Sequence, residues 1–283
     1  MTDETISVRW NGTVHRGRAI DLETDVDPAA IRESIVGDGR AEVQCPSPGP
    51  AHEHVGLVTP STSLEVRSAL AAAARSRGLT APMDDEIGTL DRRLARIEPN
   101  GEPTGAITDA QRRVNSARER ERTLRERVQT LHGRLRALRE RDEPVAKTEA
   151  ALAAATEDLA DAETERIAAE EAVRQHRRTA REHRDRCERR LRLQDKRDNL
   201  ARAARQHLAG TVHEDFAAAL RTVPGEGRAG DRPGEFEGDS TTAALAVARV
   251  ATIRAPIVLS CGRFSTAAAA ADRLGAPVIA VPR

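Results

Sequence analysis

Aromatic residues are almost missing from this 283-residue chain, which has one tryptophan (Trp10), three phenylalanines (Phe216, Phe236, Phe264) and no tyrosine. A globule of that length built on four rings would have a thin core, so much of the chain must be something other than a compact globule. Cysteine is scarce as well. Cys45, Cys187 and Cys261 form no CxxC pair and no disulfide-framework spacing, the pattern expected of reduced thiols in a cytoplasmic protein. No apolar run approaches the roughly 20 residues a membrane helix needs. Nor does the N-terminus read as a basic-then-apolar leader, so no membrane partner is expected. Lysine occurs only at Lys147 and Lys196, leaving 43 of the 45 basic residues as arginine. That bias reads as codon usage in a GC-rich genome rather than arginine-specific binding chemistry. Acids also number 45, so no global field steers the chain toward a polyanion.

What is present is helical periodicity. From Ile107 to Leu138 the inward positions step by three and four: Ile107, Ala110, Val114, Ala117, Glu121, Leu124, Val128, Leu131, Leu135, Leu138. A second stripe follows Pro144: Val145, Thr148, Leu152, Ala155, Leu159, Ala162, Arg166, Ala169, Val173, His176, Ala180. Such heptad seams predict an antiparallel coiled-coil hairpin with its tip near 142–145. Facing residues then have numbers summing to about 287, which sets Leu135 on Leu152, Val128 on Leu159 and Val114 on Val173. The one acid on the first stripe, Glu121, falls opposite the one base on the second, Arg166. Burying either charge alone would cost several kcal/mol, so the match supports that register.

Charge blocks agree with it. Residues 112–141 carry net +7 and face 146–175 at net −5, while 176–205 at net +7 face 82–111 at net −4. Exposed pairs contribute only about 0.3–0.5 kcal/mol each, but the pattern selects the antiparallel partner. The alternative is one long helix, kinked at Pro144, that pairs with a second chain.

The ends read as α/β. Ile6, Val8 and Trp10 alternate, Asn11-Gly12 supplies a hairpin turn, and Val14–Leu22 returns as a second strand. Asp27-Pro28 opens a helix through Ile35, Ala41–Cys45 and Val55–Thr59 suggest strands, and a helix runs from Ser61 to Arg77. Helix resumes at 84–98, breaks at 99–105, and stops finally at Gly210. Residues 224–239, rich in Gly, Pro and charge, read as a flexible loop. Helix at 241–253, strand at 256–260, helix at 265–274 and strand at 277–281 suggest a parallel pair.

The expected fold is therefore mixed, α+β or α/β. A small α/β domain is built from both termini, and a long antiparallel coiled-coil hairpin is inserted between them. The boundaries are an N-terminal segment 1–82, the hairpin 83–210, a flexible connection 211–240 and a C-terminal segment 241–283. Two separate small domains are the alternative.

Sites are few. An inserted hairpin is also the plan of chromosome-maintenance ATPases, but no GxxxxGK[ST] loop is present, the tip has no CxxC, and strand 256–260 ends in Ser-Cys rather than an acid. Cys45, His52 and His54 bracket a rigid Pro-Ser-Pro-Gly-Pro loop, and Cys261 would complete four zinc ligands if the two ends fold together. Against that, paired knuckles are missing and the two histidines would point to opposite faces of a strand. Cys261 is placed where a strand meets a helix N-terminus, a setting that can lower a thiol pKa, with Arg263 nearby. A small buried residue at a tight turn is the plainer assignment. Cys187 and His183 are assigned to packing on the seam.

The segment Cys45-Pro-Ser-Pro-Gly-Pro-Ala-His-Glu-His-Val-Gly56, the central coil and Ala255-Pro-Ile-Val-Leu-Ser-Cys-Gly-Arg-Phe264 together resemble an uncharacterised coiled-coil family of haloarchaea. The resemblance covers the whole chain, implies a cytoplasm of molar salt, and carries no activity over. The function expected is a non-catalytic scaffold or protein-interaction protein with a protein partner and no cofactor. The alternatives are a DNA-maintenance accessory protein and a metal- or thiol-dependent enzyme using Cys45, His52 and Cys261.

Overall fold

A computed structural model describes residues 6–10, 12–22, 26–37, 39, 42–97 and 106–282. The expected turn residue Asn11, the strand start Ala41 and the break at 99–105 lie outside them. The structure is a mixed α/β protein of two compact units, one formed by Met1–Asp91 with Asp195–Arg283 and the other by Arg92–Gln194.

In the first unit, β1 (Ile6–Trp10) pairs antiparallel with β2 (Thr13–Gly17). The expected return strand to Leu22 is broken. Gly17, at φ +148°, ends β2, and β3 (Ala19–Asp21) enters a different sheet. Asp27 caps α1 (Pro28–Val36) by accepting from the Ala29 N–H, with proline at the first helical position, as Asp-Pro favours. Strand β4 (Glu42–Gln44) pairs with β1. Next comes a single helical turn, α2 (His52–Val55), which takes the first residue of the expected strand, and only Leu57–Val58 forms β5. Helix α3 (Val66–Ser76) starts later than Ser61 because Glu65 is its cap, accepting from the Ser68 N–H at 2.7 Å.

Helix α4 (Asp84–Ala95) carries three acids in its first turn, which suits the positive end of the helix dipole. Then come α5 (Ala106–Glu140) and α6 (Ala146–Thr211). Gly210 does not end α6, which closes one residue later beside the buried Val212. The expected flexible connection holds regular structure: α7 (His213–Leu220), then the two-stranded pair β6 (Gly227–Ala229) and β7 (Phe236–Gly238). The cause is apolar anchoring inside a polar stretch. Phe216 is fully buried and meets Phe236 edge-on at 6.1 Å between ring centroids. Helix α8 (Ser240–Val250), β8 (Ile257–Leu259), α9 (Ala267–Leu274) and β9 (Val278–Ala280) complete the chain.

The organising sheet has the order β3-β9-β8-β5, parallel throughout. Its edge strands come from the N-terminal segment and its central strands from the C-terminal one, so the two ends do share a sheet. Side chains alternate across it. Ile257, Leu259 and Val278 face a core with α3, α7, α8, α9 and the end of α6, whereas Val258 and Ile279 face Ile6, Val8, Ile31 and Ile35.

In the second unit, every buried residue of α5 lies on the predicted stripe: Ala110, Val114, Ala117, Glu121 and Leu135. Ala110, Val114 and Val173 share one apolar cluster. Ion pairs link α5 to α6 in descending register, with Arg118 to Glu170 at 2.8 Å, Arg125 to Glu163 at 3.2 Å and Arg139 to Glu149 at 2.8 Å. Further along α6 the expected seam shifts. His183, Arg186, Arg190 and Leu193 are half-buried, while Cys187 and Leu191 are exposed. The inward positions run 180, 183, 186, 190, two consecutive steps of three where a heptad alternates three and four, so the stripe moves one residue earlier from there on. Cys187 is therefore not a packing residue, although its Sγ stays 3.7 Å from the His183 ring.

Candidate functional site

In open parallel sheets the space outside the carboxyl ends of the strands is where ligands usually bind. Here that edge carries a small cavity of about 130 Å³, lined among others by Asp21 at the end of β3, Cys261 and Arg263 after β8, and Thr266 before α9. Its polar groups are engaged with the protein. Asp21 Oδ1 accepts from the Ala267 N–H at 2.8 Å, and Thr266 Oγ1 accepts from the Ala269 N–H at 3.1 Å. Together they satisfy donors in the first turn of α9, a common need at helix starts. Arg263 Nη2 donates to Asp239 Oδ2 at 3.3 Å. Asp239 in turn caps α8, accepting from the Thr242 N–H at 2.9 Å and its hydroxyl at 2.6 Å. Burial pushes the Asp239 carboxyl up, but these hydrogen bonds and Arg263 outweigh it and hold the group below its usual range.

Cys261 is not at the start of a helix. Strand β8 ends at Leu259 and α9 begins at Ala267, so the thiol sits in the intervening loop, 8% exposed, in the larger core. Two donors of the first turn of α9, the Ala267 and Ala269 N–H groups, are taken by Asp21 and Thr266.

The proposed zinc ligands are not brought together. Cys45 is half-buried and packs on the face of the sheet holding Val258 and Ile279, whereas Cys261 belongs to the opposite face. Burial raises the Cys45 thiol above its ordinary value, the reverse of thiolate activation. His52 and His54 lie on one helical turn rather than a strand. His52 is 2% exposed and its Nε2 lies 2.9 Å from the Pro256 carbonyl oxygen. A carbonyl can only accept, so the proton is on Nε2 and that nitrogen is committed. Burial lowers the His52 pKa, the hydrogen bond to Pro256 partly opposes this, and Arg32 lowers it further. His54 is half-buried and lines a different, shallow depression with Arg32 and Glu53. Among the described residues no group of three or more His, Cys, Asp or Glu could hold a metal ion.

The Glu121–Arg166 pair does form. Arg166 Nε donates to Glu121 Oε2 at 2.6 Å, Arg125 also reaches Glu121, and Glu121 is 6% exposed. Hydrogen bonding to Glu170 heads the causes that raise the Arg166 pKa, with Glu121 adding to it. Sequence reasoning missed Asp21, whose partner lies 246 residues away. It also missed Asp239, although Asp followed three residues later by Thr242 is a readable helix-start signature.

A family model described as a family of unknown function (DUF7856) matches residues 17–278. No curated protein and no solved structure matches the chain. No described helix is long and apolar enough to cross a membrane.

Proposed function

The chain belongs to the family of unknown function DUF7856, and with no activity to inherit from that membership we propose that it is a non-catalytic scaffold or protein-interaction protein. In this reading α5 and α6 form an antiparallel coiled-coil hairpin that serves as a spacer or docking arm for a protein partner. The observation that carries it is the ladder of ion pairs across α5 and α6 around the Glu121–Arg166 match. A seam this specific fixes one register over a long reach, about 50 Å for residues 107–141 at 1.5 Å per residue. That is the property an arm needs and a catalytic pocket does not. The residues at the sheet edge support the same reading, since Asp21, Arg263 and Thr266 serve local architecture.

The test compares the full chain with a version lacking the tip between Val128 and Leu159, each used as bait under native salt. A partner retained in stoichiometric amount by the full chain and lost by the shortened one is the expected result. Identical retention by both would remove the arm from the function.

A further inference from the structure

Most arginines of α5 are answered by acids within hydrogen-bond reach. One stretch of α6 differs. Between Arg177 and Arg192 there are eight arginines against three acids, net +5. Ion pairing there among the described residues is confined to Arg192 with Glu188. The facing block of the sequence was expected to neutralise this stretch, but its pairs fall further on, at Lys196–Glu86 and Arg197–Asp91. Residues 98–105, outside the described structure, contain two acids, Glu98 and Glu102, too few to balance an excess of five.

Within the stretch, Arg177, Arg178, Arg181 and Arg184 are all exposed. None of the four has a carboxylate partner among the described residues, and no acid occurs from Ala172 to Arg181. Arg177, Arg181 and Arg184 stand at i, i+4 and i+7, one face of the helix, spanning about 10.5 Å at 1.5 Å per residue. We propose that this face of α6 binds the phosphate backbone of duplex nucleic acid without reading its sequence. A duplex presents one negative charge per roughly 1.7 Å of its axis, so a straight row of guanidiniums meets several phosphates at once. Guanidinium forks also suit phosphate oxygens bidentately.

The chemistry of the unit favours this occupant over other polyanions. Residues 92–194 contain no Phe, Tyr or Trp, so the large rings on which single-stranded bases usually stack are missing. The same lack, with arginines on the exposed face, leaves no broad apolar face to enter a lipid headgroup layer. The inference stands on α6 alone and does not depend on α5–α6 docking a protein.

The experiment is fluorescence anisotropy of a labelled 20-base-pair random-sequence DNA duplex titrated with the full chain at 50 to 200 mM salt. Each phosphate contact contributes about 0.9 to the log–log salt slope. The triple substitution Arg177→Gln, Arg181→Gln, Arg184→Gln should lower the slope by about 2.7. At 50 mM salt it should weaken binding far more than the matched control Arg113→Gln, Arg127→Gln, Arg134→Gln, which removes the same charge from α5 at positions spread over about 31 Å of helix at 1.5 Å per residue. Far-ultraviolet circular dichroism of both variants confirms retained helix. Failure of the wild-type chain to bind the duplex at 50 mM salt overturns the proposal. So does an equal loss in both triple variants, which would mean diffuse attraction. Equal, equally variant-sensitive binding to phosphatidylserine vesicles would also overturn it, as generic anion attraction.

Discussion

His52 joins the one-turn helix α2 to the residue before the central strand β8, and removing it should be costly in a way that reports its role. The ring is 2% exposed and its Nε2–H donates to the Pro256 carbonyl at 2.9 Å. His52→Ala leaves that carbonyl unpaired, worth about 1–3 kcal/mol, and removes a buried ring, so a total near 3–5 kcal/mol is expected by analogy with other large-to-alanine changes. His52→Gln keeps a donor near the same place and should retain most of that stability. The pH dependence gives a second signature. Because burial holds the folded pKa below histidine's ordinary value of about 6.5, the unfolded chain takes up the proton first as pH falls. The stabilisation is therefore complete above about 6.5 and is lost as pH drops from there through the folded value. Urea unfolding followed by Trp10 fluorescence, the chain's single tryptophan, from pH 5 to 8 measures both effects. Wild type and His52→Gln should diverge in stability across the acid side of that range. Parallel curves, or an alanine variant that loses less than about 1 kcal/mol against the expected range, would refute the reasoning. Added zinc should leave the wild-type midpoint unchanged, since a ligand bound to the native state would raise it.

Other expectations follow from the two units. Val128→Cys with Leu159→Cys should form a disulfide within one chain under mild oxidation, seen as a monomeric band of altered mobility on a non-reducing gel. A band at dimer mass alone would mean the helices pair between chains. Glu121→Ala should speed hydrogen exchange in amides 114–135 by leaving the Arg166 guanidinium without its seam partner, whereas Glu121→Leu with Arg166→Leu should restore protection. Phe216→Ala should destabilise the α/β unit by about 3–5 kcal/mol in urea unfolding, since the ring is fully buried and holds Phe236.

The helix pair was legible because its signal is long. Two stripes of ten or more positions average out local accidents, and Glu121 with Arg166 fixes the register. The sheet was harder to read, since β5 has two residues and β8 three, too few for any period to declare itself. What placed them is burial on both faces, a tertiary fact. The segment 224–239 has the composition of a loose linker, yet a single ring, Phe236, ties it to the core. At the candidate site, residue types that suggest chemistry meet partners that the sequence does not announce. Asp21 accepts from the first turn of α9, and the His52 Nε2–H is held by Pro256. Neither partner is near in sequence. The C-terminal half of α6 was misjudged differently, because a heptad continued on paper past the point where the inward stripe had moved.

The strand order β3-β9-β8-β5 bears on how the protein is made. Its two edge strands are made about 200 residues ahead of the strands that join them. At roughly 5–20 residues per second, that is about 10–40 s during which neither edge has a neighbour. The N-terminal segment must wait through the synthesis of everything between, with Ile20 and Val58 awaiting their cover. A nascent chain stopped before Ile257 would lack the middle of its sheet rather than a rim. The making of β8 and β9, rather than any earlier folding event, is thus the point at which this α/β unit closes.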